Sequence, residues 1–256
     1  MILILVLLIG LLLILILFRN KFITKFSINS INSINSINSI NNQISNNSNN
    51  IIIAILLTMC INNSEKKKKE YLQVVNNYLK NTNLVLHIVE SSGYNFPEFN
   101  NNNRIKIYTF NNTNKYNCIG CYATPYEAES IIKAYNYFNL NKYKVVLKIT
   151  GKYFIPNIKE ILSLINEEII NNEISSDFYF QNLRDSTRQQ QNSEIFGCRS
   201  EIIIPLMKHI LSFKNNKQGL NMEYFLYHVK GKIKYFTKIP LNNPVTRNDG
   251  SILKEL

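Results

Sequence analysis

The four cysteines and three histidines are the side chains best suited to hold a metal or to do redox chemistry, and their spacing supports neither role. Cys118-Ile-Gly-Cys121 has CxxC spacing, yet no second pair and no nearby histidine completes a zinc site. A redox pair would sit where a strand meets a helix and lowers the thiol pKa. This one sits in an Asn/Tyr/Gly loop and reads as a local disulfide or two idle thiols. Cys60, Cys198, His87, His209 and His228 are far apart and read as structural or surface residues. More promising are three polar segments, Thr58 to Asn62, Glu90 to Gly93 and Thr150 to Tyr153, each of which ends an apolar run. They contribute Thr58, Glu90, Ser91, Ser92, Thr150, Gly151, Lys152 and Tyr153, with Lys148 two residues upstream of the last segment. Two carboxylates come late in the chain, Glu194 in SEIFG and Glu223 in NMEYF. Glu223 comes after a Gln218-Gly219 turn, which places it in a helix's first turn, where the dipole stabilises negative charge. Capping alone accounts for an acid there equally well.

These segments can act together only if the chain gathers them. Ile51 to Ile61 (IIIAILLTMCI) is too short to cross a bilayer and too continuous for a half-exposed strand. It predicts a strand buried on both faces. Asn62-Asn63-Ser64 supplies a turn and a cap, and Glu65 to Leu79 then puts Tyr71, Leu72, Val75, Tyr78 and Leu79 on one helical stripe. Further strands are expected over Leu84 to Val89, Arg104 to Phe110 and Tyr143 to Ile149. A helix opened by Pro125 carries Ala128, Ile131, Ile132, Ala134 and Tyr135 on its apolar side. This order describes an α/β domain whose sheet lies between helices. In such sheets ligands bind beyond the carboxyl ends of the strands, where all three polar segments fall. A nucleotide pocket requires that arrangement.

The amino-terminal organisation is equally legible. Met1 to Phe18 carries no charge and no polar side chain. As a helix it is roughly 27 Å long, close to the hydrocarbon thickness of a bilayer. Lacking a basic n-region and a small-residue cleavage site, it predicts an uncleaved transmembrane anchor in the lipid bilayer. Residues 19–50 form a stalk whose low-complexity part, Ser27 to Asn50, is built on Ile-Asn-Ser triplets over Ile28 to Ser39, a period of three that fits neither a strand nor a helix face. Such a tether holds its domain roughly 30 Å from the membrane. The expected domains are therefore 1–18, 19–50 and 51–256. By the positive-inside rule, Arg19, Lys21 and Lys25 place the body in the cytosol.

A chain of 256 residues that is 45% hydrophobic can bury a sizeable core. Its net charge of +12 is spread over the sequence. The one dense run, Lys66 to Lys69, lies in an amphipathic helix, where a solvated face accounts for it. No nucleic-acid partner is expected from that pattern, whereas a small anionic substrate fits it. Asparagine makes up about a sixth of the chain, the mark of an AT-rich coding sequence, so much of the polar surface carries no functional information.

Taken as a whole, residues 51–240 resemble the GT-A class of glycosyltransferases, nucleotide-sugar-dependent enzymes with a mostly parallel sheet. The resemblance rests on order and local wording. IIIAILLT precedes a long helix and then LVLHIVESSG; the helix with Glu127 and Glu129 leads into KYKVVLKITGKYF. SEIFGCRSEIIIPL resembles the approach to the acceptor-side helix, and NMEYFLYHVKGKIKYFTKIP the acid-bearing helix, final strand and proline. The likeness implies a membrane-anchored enzyme that moves sugar from a nucleotide-sugar donor to a glycan or protein acceptor.

One departure matters. Where the class carries a DxD motif, whose acids hold Mn²⁺ or Mg²⁺ on the diphosphate, this chain has Thr150-Gly151-Lys152-Tyr153. Members without DxD neutralise the diphosphate with Lys or Arg, which points to Lys148 and Lys152, with Gly151 allowing close backbone approach. Donor binding is then expected to need no metal and no cofactor; Asp177 or Glu90 would be the ligand otherwise. The likeness also makes Glu223 the base, with Glu194 as its rival. From its polarity, Ser186 to Asn192, which follows Arg184 and Asp185 and contains Arg188, reads as a flexible loop of the kind that closes over a sugar nucleotide. It implies a lumenal domain in the endoplasmic reticulum or Golgi, against the flanking charges. Asn62-Asn63-Ser64 and Asn111-Asn112-Thr113 are glycosylation sequons consistent with that compartment. The alternative is a noncatalytic, membrane-tethered α/β binding protein that keeps the fold without the chemistry.

Overall fold

Ile53–Met59 forms β1, and all but its first residue are buried. The reason is that it has a parallel neighbour on each side. Strand β2 (Leu86–Glu90) pairs with one edge and β4 (Val145–Thr150) with the other, so that Ile55 lies opposite both Leu86 and Leu147. Successive side chains then enter opposite core layers: Ile55, Leu57 and Met59 one, Ala54 and Leu56 the other. The computed structural model describes residues 52–113, 123–171, 176–181, 191, 193–213, 221–236, 240–246 and 252–255. The anchor, the stalk, Cys118, Cys121 and the loop with Arg184, Asp185 and Arg188 lie outside them. Among the described residues no helix is long and apolar enough to cross a membrane.

After β1 the chain turns through Asn62 and Asn63, both left-handed (φ 48° and 58°), a conformation asparagine tolerates better than most residues. Ser64 then caps α1 (Glu65–Asn81), its Oγ accepting the Lys67 N–H at 3.3 Å. The inner stripe of α1 is Tyr71, Val74, Val75 and Tyr78. The Tyr78 hydroxyl donates to the Tyr153 carbonyl at 3.3 Å and accepts the Ile155 N–H at 3.2 Å, which ties the helix to the turn after β4. Strand β3 (Ile105–Thr109) lies at the sheet edge, which explains its alternating sequence. Helix α2 (Thr124–Tyr137) has Pro125 in its first turn and buries Ala128, Ile131 and Ala134.

Beyond β4 the sheet is completed by β5 (Phe178–Gln181), β6 (Ile195–Arg199) and β7 (Ile233–Phe236). The order is β3-β2-β1-β4-β6-β5-β7, and β6 alone of these seven runs antiparallel. Helices α1 and α3 (Ile158–Ile170) cover one face, and α2, α4 (Ser200–Ser212) and α5 (Met222–Tyr227) the other. A mixed seven-stranded sheet between two helical layers is the α/β sandwich expected from the order of elements. Two parts go beyond the sequence reading. Helix α3 has Ile158, Ile161 and Ile165 at helical spacing on its buried side, and Pro240, after the strand expected over Ile233 to Ile239, opens a separate antiparallel pair, β8 (Pro240–Thr246) and β9 (Ile252–Glu255).

Candidate functional site

Strand order reverses between β1 and β4: the chain leaves β1 towards β2 and β3, and leaves β4 towards the other half of the sheet. The loops beyond such a reversal diverge and leave a crevice at the carboxyl ends of the strands. All three polar segments are brought to this edge. The Gly151 N–H donates to the Thr58 carbonyl at 2.9 Å, and the Ser91 N–H to the Met59 carbonyl at 3.1 Å. The Asn62 N–H reaches Ser92 Oγ at 2.9 Å. Because β6 is antiparallel, its amino end is here too, and the Thr150 N–H donates to the Glu194 carbonyl at 2.8 Å. Glu194 is buried, and its Oε1 accepts the Tyr153 hydroxyl at 3.4 Å.

Glu90 is wholly buried and works as a loop organiser. Its carboxylate accepts the Ile61 N–H (2.9 Å), the Ser92 N–H (2.9 Å), the Ser92 hydroxyl (2.5 Å) and the Tyr94 N–H (2.8 Å). Four donors on one carboxylate hold the loops after β1 and β2 in register with each other. Ser91 Oγ adds a 3.3 Å bond to the Met59 carbonyl.

Lys148 is also wholly buried, midway along β4. Its ammonium meets Glu127 Oε1 of α2 at 2.5 Å, Thr150 Oγ1 at 2.9 Å and the Ser193 carbonyl at 2.8 Å. Three donors and three acceptors satisfy a charge that would otherwise be costly to bury. Glu127 Oε1 also accepts the Thr58 hydroxyl at 3.1 Å. The network continues outward: Ser193 Oγ donates to Glu223 Oε1 at 2.7 Å, and the Gln191 N–H to the Glu223 carbonyl at 3.0 Å. Glu223 lies in the first turn of α5, as expected, where Asn221 caps by accepting the Tyr224 N–H. The Met222 N–H bonds Thr124 Oγ1 at 3.1 Å, which seats the start of α5 against the start of α2.

The close approach at Gly151 is to the chain itself. A Cβ there would lie 2.4 Å from Met59 Cγ and 3.1 Å from the Thr58 carbonyl oxygen. Gly151→Val is accordingly expected to destabilise the domain by about 1–3 kcal/mol through overpacking of β4 on β1. Urea denaturation checks this; an unchanged midpoint would show that the crossing yields. Lys152 is half-buried with its ammonium 5.0 Å from the Tyr153 ring centre, and the Tyr153 side chain is wholly buried in the layer under α1 and α3. Asp177 lies at the opposite end of the sheet, held by Arg199 Nη1 at 3.3 Å and by the Lys232 N–H at 2.9 Å. Among the described residues, no group of three or more His, Cys, Asp or Glu is placed to hold a metal ion.

Glu127 and Ser193 belong to this network, and the sequence reading gave neither a role. A signal for the first was present. Glu127 falls on the apolar stripe of α2, four residues before Ile131, while Lys148 interrupts the apolar strand VVLKI. Opposite charges at two positions patterned for burial are the mark of a buried ion pair.

The fold and site define a three-layer α/β domain with a polar crevice at its topological switch point. No protein-family model matches the sequence, and no curated protein matches it. Among solved structures the domain is similar to a glycosyltransferase involved in the glycosylation of the major capsid of PBCV-1. The TM-score is 0.43 at 11% identity, over 72% of this chain and 81% of that one. It is also similar to 4-diphosphocytidyl-2C-methyl-D-erythritol synthase from Anaerococcus prevotii, with TM-score 0.36 at 10% identity, over 72% and 88% of the two chains. Both likenesses concern the fold alone.

Proposed function

We propose that the domain binds a nucleotide sugar across the β1/β4 crevice and transfers the sugar to a glycan or protein acceptor. The observation that carries this reading is the meeting, at one switch point, of the loops after β1, β2 and β4 with the carboxylates Glu194 and Glu223. Thr58, Ser91, Ser92, Thr150 and Lys152 stand where the donor would lie, while Gly151 is packed against Met59. Glu90 and Tyr153 shape the loops from beneath, and Lys148 is neutralised by Glu127. Lys152 is the strand-end cation for the diphosphate. In the transfer step Glu223 takes the acceptor hydroxyl proton as that oxygen attacks the anomeric carbon. The bond from that carbon to the diphosphate oxygen breaks, and the diphosphate leaves with the electron pair. Glu194 is the second candidate for the base.

No cofactor enters this scheme, and donor binding is metal-independent. Titration of the full chain with a panel of nucleotide sugars checks both points. A donor at a hundred times its Kd should stabilise the fold by about 2.7 kcal/mol, equally with and without EDTA. Loss of binding in EDTA and its return with Mn²⁺ would sink the metal-independent scheme. Met1–Phe18 anchors the chain in the bilayer, with the domain in the lumen of the endoplasmic reticulum or Golgi; digestion by protease in sealed microsomes would instead place it in the cytosol. The absence of a carboxylate from Thr150–Tyr153 favours a second reading, a noncatalytic binding protein. That reading predicts donor binding without transfer or donor hydrolysis.

A further inference from the structure

We infer that Lys148 and Glu127 position the Glu223 carboxylate through Ser193, without touching the donor; this rests on the reading of Glu223 as the base. The two ends of the network differ in rigidity. Glu127 stands on the fourteen-residue α2, and Lys148 lies in β4, which is paired on both sides. Glu223 stands on a helix of six residues, too short to be stable by itself. Among the described residues its side chain is held by one hydroxyl, that of Ser193, whose own carbonyl is gripped by the buried ammonium at 2.8 Å. An ammonium has three N–H donors, and Lys148 gives one each to Glu127, Thr150 and Ser193. A shift of Ser193 therefore leaves a donor of a buried charge without its acceptor, a costly state. Thr58 fixes the far end by donating to the same Glu127 oxygen. The network thus transmits the position of the sheet and α2 to the carboxylate at the start of α5.

Two measurements on the full chain test this. The first needs no activity. In the charge-balanced double variant Lys148→Met/Glu127→Gln, the Gln191 amide, which bonds the Glu223 carbonyl, should exchange at least about tenfold faster. The Thr82 amide, bonded to Tyr78 in α1, should keep its rate and report that the fold is intact. The second is kinetic. Ser193→Ala should lower kcat about tenfold with donor KM within about twofold, and Ser193→Thr should restore most of the loss by returning the hydroxyl. Unchanged Gln191 exchange in the double variant overturns the inference, as does an equal change in kcat and KM, or a folded Ser193→Thr protein no better than Ser193→Ala. Accelerated exchange in the double variant, where the wild type neither transfers nor hydrolyses any donor, sinks the base assignment instead and leaves the mechanical tie standing.

Discussion

Glu223→Gln is expected to keep the fold and the donor affinity while losing about a hundredfold or more in turnover. The expected separation of the two effects comes from the geometry. The Ser193 hydroxyl donates to Glu223 Oε1, and an amide oxygen at that position accepts the same bond. Asn221 still caps α5, and the Met222 N–H still reaches Thr124. What the substitution removes is the negative charge and the ability to accept the acceptor's proton. The loss of first-turn charge should cost at most about 1 kcal/mol of stability. Donor titration, single-turnover transfer and a denaturation curve on the same protein separate the three quantities. Full turnover in a folded Glu223→Gln protein would transfer the role to Glu194, or would indicate a retaining reaction that needs no such base.

Acidification is expected to weaken the domain well above the pH at which most carboxylates are protonated. His87 lies in β2, only 2% exposed, between the Ile55 carbonyl (Nδ1, 3.2 Å) and the Tyr143 hydroxyl (Nε2, 3.3 Å). This pair suits a neutral ring that donates from Nδ1 and accepts at Nε2. Burial pushes the imidazole down to about 4, with a smaller push from Lys106 and Lys142; the bond to Ile55 acts the other way without offsetting it. A folded pKa below the unfolded value of about 6.5 means that only the unfolded chain takes up the proton in between. The stabilisation is thus complete above pH 6.5 and is lost as pH falls towards 4. Over that window the loss from this one ring is about 3 kcal/mol. Urea midpoints at pH 7 and pH 4.5 for the wild type and His87→Gln check the sign and size. The variant should lose distinctly less stability over the interval, and parallel curves would assign the acid sensitivity elsewhere. Glu168 acts in a lower range. Desolvation raises its pKa, but the bonds from Lys234 (2.9 Å) and Ser176 outweigh this and hold the carboxylate below its ordinary value, so its contribution is lost only as pH falls through that lowered range.

The sequence alone determined the order of elements from β1 to β4 and the edge of the sheet on which polar residues collect. That much is local physics. A continuous apolar run is a strand covered on both faces, Asn-Asn-Ser turns and caps, and Pro125 opens a helix; Ile53–Met59, Glu65–Asn81 and Thr124–Tyr137 obey those rules. The neighbours of each polar group were decided by the tertiary structure. Lys148 and Lys152 have the same side chain and flank the same Thr150-Gly151 pair, yet strand alternation turns Lys148 inward to Glu127, while Lys152 lies past the end of β4. Glu90 reads in the sequence as a ligand-facing acid, and its carboxylate is filled by four donors of its own loops. Gly151 reads as room for a ligand, and that room is taken by Met59. The meeting of Glu127 with Lys148 and of Ser193 with Glu223 joins residues 21 and 30 positions apart in sequence. Patterning marks Glu127 and Lys148 as charges at buried positions, but no period or spacing names the partner of either, or of Glu223, because that depends on which strand lies beside which. The antiparallel β6 is what returns Glu194 and Ser193 to the carboxyl edge of the parallel strands.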